Sequence, residues 1–163
     1  MIDYAGNKID VNGCYGCAYA QHQFEIPTGI SYEDDLFTLS QDWELPIQGF
    51  FVISPKRHIE NFSELTDEER KKIFDIANYA ILTLKKNNIC EHFNVIFEEK
   101  PKRHFHIWIM PRHKWMNEMA GNIIGNIGKI FDYAVTNLKT QNNLDRIKEI
   151  SKLMREAFLD FKY

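Results

Sequence analysis

His104-Phe105-His106-Ile107-Trp108-Ile109-Met110, followed by Pro111-Arg112-His113, is the stretch that decides the fold. It alternates strictly. In a β-strand successive side chains point to opposite faces. One face therefore carries Phe105, Ile107 and Ile109, and the other carries His104, His106, Trp108 and Met110. The first face is apolar and reads as core. The second sets two imidazoles and an indole in a row. The plain reading is a half-buried strand whose outer face happens to carry histidine. The functional reading is a metal or phosphate site on a rigid element, since two of the chain's six histidines stand there two residues apart.

Working upstream, Phe93-Asn94-Val95-Ile96-Phe97 reads as a strand, and Glu98 to Arg103, with Pro101, as a charged connection. The two strands are expected to pair as an antiparallel hairpin. Thr66-Asp67-Glu68-Glu69 is a capping box at a helix start. Ile73, Ile76, Ala77, Ala80, Ile81 and Leu84 follow at helical spacing as a core stripe, and Lys85 to Asn88 end the helix. Before it, Gly49 opens the apolar run Phe50-Phe51-Val52-Ile53-Ser54, a buried strand closed by Pro55 and followed by Lys56-Arg57-His58. Leu36 to Ser40 reads as a short strand, and Gln41 to Gln48, with Pro46, as a loop.

Residues 1–13 read as an irregular lead-in. Cys14-x-x-Cys17 then has the spacing of a thiolate pair facing one metal ion; a redox pair is the competing reading, without a βαβ context to support it. Downstream of Met116, helical patterns return over Ile130–Leu138 and again over 144–161, with Ile147, Ile150, Leu153, Met154, Ala157 and Phe161 as an amphipathic stripe. Gly121, Gly125 and Gly128 do not have the spacing of a phosphate loop.

The 163 residues suit one domain, 1–163, with a substantial core. The net charge of −3 and the absence of a basic stripe argue against a partner in extended nucleic acid. No apolar run approaches a membrane span and no signal peptide opens the chain, so a cytoplasmic protein is expected. Three cysteines do not make a disulfide framework.

The motif strand resembles that of the histidine-triad (HIT) family of nucleotide hydrolases and transferases, His-φ-His-φ-His-φ-φ with φ apolar. His104 and His106 match the first two histidines, and Trp108 replaces the third. The order of strand, loop, glycine, apolar strand and Pro-Lys-x-His, here Pro55-Lys56-Arg57-His58, is similar to the family's layout upstream of its helix. The resemblance covers about residues 14–116, with a C-terminal helical extension over about 117–163. It implies an α+β fold, an antiparallel sheet with one main packed helix. It also implies a homodimer. A second departure is Glu-Glu-Lys-Pro-Lys-Arg where the family has a glycine-rich loop.

Many bacterial HIT proteins hold structural zinc with a CxxC, the histidine of Pro-Lys-x-His and the first triad histidine. The matching positions are Cys14, Cys17, His58 and His104. The resemblance makes His106 the catalytic nucleophile. It would attack an α-phosphorus to form a nucleotidyl-histidine that water cleaves. Asp42 matches the family's ribose-binding acid, and Asn94 an asparagine near the phosphates; Arg112 and His113, just past the strand, are further candidate phosphate ligands. Trp108 offers one N–H and no acceptor, so it does not shuttle a proton as a third histidine would. The readings that follow are a hydrolase of dinucleoside polyphosphates or nucleotide conjugates, a nucleotidyltransferase, and a zinc-stabilised nucleotide-binding module without catalysis.

Overall fold

The computed structural model describes residues 1–163. Its centre is a five-stranded antiparallel sheet in the order β1-β2-β3-β5-β4. The strands are β1 (Ile30–Glu33), β2 (Phe37–Gln41), β3 (Phe51–Pro55), β4 (Phe93–Glu98) and β5 (His106–Pro111). Five α-helices accompany them: α1 (Tyr15–Ala20), α2 (Asp67–Lys86), α3 (Lys114–Ala120), α4 (Ile127–Asn137) and α5 (Gln141–Phe158). The fold is α+β, as expected. The expected hairpin is β4–β5, with Glu98 opposite His106 and Phe97 opposite Ile107. The strand β1 and the short helix α1, which carries Cys17 and has Cys14 at its N-cap, lie where the sequence shows no clear period.

One sheet face is sealed by α2 and α5. Phe37, Leu39, Phe51, Ile53, Phe105, Ile107 and Ile109 meet Ile73, Ile76, Ala80 and Leu84 of α2 and Ile150, Met154 and Phe158 of α5 in one cluster. Each fully buried aliphatic or aromatic side chain there contributes about 1.5–3 kcal/mol. The extension is therefore part of the core. Tyr79 on α2 donates its hydroxyl to Ala157 O at 2.9 Å, and Arg155 on α5 reaches Ile30 O and Thr28 O beside β1.

The start of α2 is set as its sequence suggests. Thr66 Oγ1 accepts from Glu69 N, and Glu69 Oε2 accepts from Thr66 N at 2.7 Å. Arg57 then grips both oxygens of buried Glu69 at 2.7 Å, tying the loop after β3 to the helix. Gly49, with φ of +75°, makes the turn into β3 where a Cβ would press on Ile89.

The opposite sheet face is only half covered. α3 and α4 pack Met116, Ile130 and Ala134 over Ile47, Phe50 and Met110. Beyond Met110 the face opens, and the side chains of Trp108 and His106 border a cavity. The same alternation that buries Phe105, Ile107 and Ile109 on one side delivers these two to the other. No helix is long and apolar enough to cross a membrane.

Candidate metal and phosphate site

Two clusters meet on the backbone of residues 104–106. The first gathers Cys14 at the N-cap of α1, Cys17 within α1, His58 after β3 and His104 just before β5. Their ligand atoms lie within 4.8 Å of one another. Cys17 Sγ is 3.3 Å from His58 Nδ1 and 3.5 Å from His104 Nδ1, and Cys14 Sγ is 3.6 Å from His104 Nδ1. Bond lengths of about 2.3 Å to sulfur and 2.0–2.1 Å to nitrogen in a tetrahedron put S···N edges near 3.5 Å. The donor set and its spacing fit zinc.

The supporting contacts point the same way. His104 Nε2 donates to Pro55 O at 2.7 Å, which turns Nδ1 toward the thiols. Burial holds the His104 imidazole below its ordinary value and hence neutral, as a ligand must be. Burial and the neighbouring Cys14 push the Cys17 thiol up to about 11. Gly16, between the cysteines, lets the backbone of α1 lie directly on the His104 ring.

The second cluster faces a cavity of about 900 Å³. His106 Nδ1 donates to His104 O at 3.1 Å. Its Nε2 lies 2.8 Å from Glu98 Oε2, directly across the hairpin. A carbonyl oxygen and an ionised carboxylate only accept, so the ring donates from both nitrogens. The hydrogen bond from His106 holds the Glu98 carboxyl down at about 2, helped by Lys100, which pairs with the other oxygen. Trp108 follows on the same face, its ring 5.8 Å from that of His106 and edge-on to Phe50 and Phe131.

Asp42, just past β2, lines the same cavity. Its Oδ1 accepts from Glu44 N at 2.9 Å and Leu45 N at 2.8 Å. Desolvation nonetheless pushes its carboxyl up to about 6. Lys100, Lys102 and Arg103 form a basic rim in the link between β4 and β5, which holds no glycine.

Three expected phosphate ligands are not brought here. Arg112 and His113 stand at the far end of β5, on the order of 20 Å along the strand from His106. Arg112 Nη2 donates to Asn117 Oδ1 at 3.2 Å, and His113 caps α3 while its Nε2 donates to Gln48 O at 2.7 Å. Burial lowers the His113 imidazole, which suits this structural bond. Asn94 pairs with Met110, well up the hairpin from Glu98, and its buried Nδ2 has no partner. Adjacency in sequence misled for Arg112 and His113 because the strand carries them away from the site. Glu98 is the site residue that sequence reading missed. Its signal was the alternation Asn94, Ile96, Glu98 on the histidine face, legible only once the hairpin register is known.

The comparisons with known proteins agree with this fold. The sequence model described as the HIT domain matches residues 23–115, more than half of the chain. An uncharacterized HIT-like protein of Methanocaldococcus jannaschii is 28% identical over 102 residues, 59% of this chain and 78% of that protein. Among solved structures, a HIT-like protein of Bartonella henselae involved in cell-cycle regulation superposes with a TM-score of 0.64 at 16% identity, covering 92% of this chain and 99% of the other. A zinc-bound histidine triad family protein from Mycobacterium smegmatis gives 0.63 at 15% identity, covering 90% and 93%. At these identities the superpositions speak for the fold, and the sequence match for the kinship. The chain belongs to the HIT family.

Proposed function

We propose that this chain is a HIT nucleotide hydrolase that cleaves dinucleoside polyphosphates or nucleotide conjugates through a nucleotidyl-His106 intermediate. The observation that carries the reading is His106 itself. Its Nδ1 is tied to His104 O, which leaves Nε2, paired at rest with Glu98, as the nitrogen available for attack, and its ring lines the cavity with Asp42 and Trp108. Nucleophilic attack needs one ring nitrogen held and the other aimed. Asp42, Lys100, Lys102 and Arg103 line the same cavity; in this reading Asp42 accepts from ribose hydroxyls and the three cations meet phosphate oxygens.

In this reading zinc is bound by Cys14, Cys17, His58 and His104. Four protein ligands leave no open position, so the metal stabilises and does not react. It pins the backbone of His104, whose carbonyl orients His106. The protein acts in the cytoplasm as a homodimer, a state supported by exposed Val95 and Phe97 on edge strand β4.

Trp108 favours a second reading. Without the third histidine, the nucleotide passes to an acceptor other than water, or is bound without turnover. Incubation with diadenosine tetraphosphate and with adenosine phosphoramidate separates these. Release of AMP supports hydrolysis. A stable nucleotidyl-protein discharged only by added acceptors supports transfer, and binding without either supports the non-catalytic module.

A further inference from the structure

We propose that Glu98 is the proton carrier of this site, supplying to the leaving group the proton that Trp108 cannot; the inference rests on the nucleotide reading above. Glu98 is placed for the role by the β4–β5 register, which sets it directly opposite His106. Its Oε2 touches Nε2, the reacting atom, at 2.8 Å. Trp108, two residues along the same face, offers an N–H and no exchangeable carboxyl or imidazole. His113 is spent on Gln48 O at the far end of the strand. Asp42 has one oxygen committed to two backbone N–H groups. Glu98 alone among the carboxylates of the site contacts the ring that must lose a proton before it attacks.

The proton balance closes. As Nε2 approaches phosphorus, its proton passes to Glu98 and the nitrogen lone pair forms the N–P bond. The bond from phosphorus to the leaving atom breaks, its electron pair stays with that atom, and Glu98 delivers the proton there. In the second half, water gives a proton to Glu98 while its oxygen bonds phosphorus. The N–P pair returns to Nε2, which recovers the proton from Glu98. Nothing beyond substrate and water is consumed.

The surroundings permit the carboxyl to change state. At rest the hydrogen bond from His106 is the chief cause that keeps Glu98 ionised. A bound phosphate removes that bond and places negative charge beside the carboxylate, and both changes favour its protonated form. Lys100 holds the other oxygen, and with Lys102 and Arg103 at the rim it offsets the repulsion between carboxylate and phosphate.

The test compares Glu98→Gln with the unmodified protein on two substrates: the p-nitrophenyl ester of AMP, whose leaving group needs no proton, and adenosine phosphoramidate, whose leaving nitrogen does. Glutamine keeps the size of the side chain and loses the proton. The expected result is slowing of both substrates, because Glu98 also takes the proton of Nε2, with the phosphoramidate losing about a hundredfold more than the aryl ester. Trp108→His in the Glu98→Gln background is expected to restore part of the loss. Zinc content and circular dichroism control for folding. Equal slowing of both substrates assigns Glu98 to positioning and overturns the proposal. No slowing, or faster turnover of both, identifies it as a block on Nε2 and overturns it too. If the unmodified protein releases nothing from either substrate, the hydrolase reading fails and takes this inference with it.

Discussion

Gly16 and His104 are in direct contact, closer than any other residue type permits. A Cβ added at Gly16 would lie 2.7 Å from His104 Nδ1. The ring has no room to retreat, because its other nitrogen is bonded to Pro55 O. Gly16→Ala must therefore push α1 and its cysteines off the ring. Overpacking of this kind costs about 1–3 kcal/mol. We expect a lower thermal midpoint together with weaker metal retention, read by melting the protein with and without a chelator. An unchanged midpoint and metal content would show that α1 is not seated as described.

Removing a metal ligand should act through the same joint. Cys14→Ser and His104→Ala are expected to lose bound zinc and stability together, since metal binding and folding are coupled. Elemental analysis of the unmodified protein should give one zinc per chain. A protein purified without stoichiometric zinc, whose stability is indifferent to Cys14→Ser, contradicts the assignment.

His106→Ala should separate chemistry from architecture. The side chain is outside the metal cluster and half-buried at the cavity wall. Nucleotide release is expected to fall below detection, with zinc content and fold unchanged. Denaturing the native protein during turnover of labelled substrate should trap label on it, and none on the variant. Wild-type rates from His106→Ala would place the nucleophile elsewhere.

Asp42 should trade stability for binding. Its folded-state value of about 6 lies above the ordinary carboxylate value. The folded state therefore favours the protonated form, and that contribution is complete below about 4 and lost as pH rises toward 6. Asp42→Asn keeps an acceptor for Glu44 N and Leu45 N and carries no charge. It is expected to raise stability at neutral pH by about 1 kcal/mol or more, with little change at pH 4. The same substitution should raise KM for nucleotides, about tenfold, by weakening the ribose contact. Denaturant unfolding at the two pH values and saturation kinetics check both halves. Destabilisation at neutral pH would mean that the carboxylate is held by a partner and is not strained by burial.

Much of this molecule follows from local pattern. The alternation through Phe105, Ile107 and Ile109 determines a half-buried strand, because a period of two admits no other use of those residues. Thr66 and Glu69 determine where α2 begins, because the two ends of a capping box lie within one turn of chain. The spacing of Cys14 and Cys17 and the histidines at 58 and 104 supply a ligand set by similarity to relatives. Each of these signals is written in residues near one another or in a repeated motif.

What the tertiary structure alone decided is which distant side chains share a space. Glu98 reaches His106 because a seven-residue link closes the hairpin in one register, and a slip of one residue would send it to the other face. Arg112 and His113 follow the motif directly in sequence, yet an extended strand moves each residue about 3.3 Å further from the site. The C-terminal stripe on α5 reads as a surface for any apolar partner; only the packed fold shows it completing the core against α2 and β1. Sequence determined the periodic elements and the residue types, since those depend on local pattern, while the short β1 and α1 came only with the fold. Register, strand order and distance depend on how the chain closes on itself, and these decided which residues form the site.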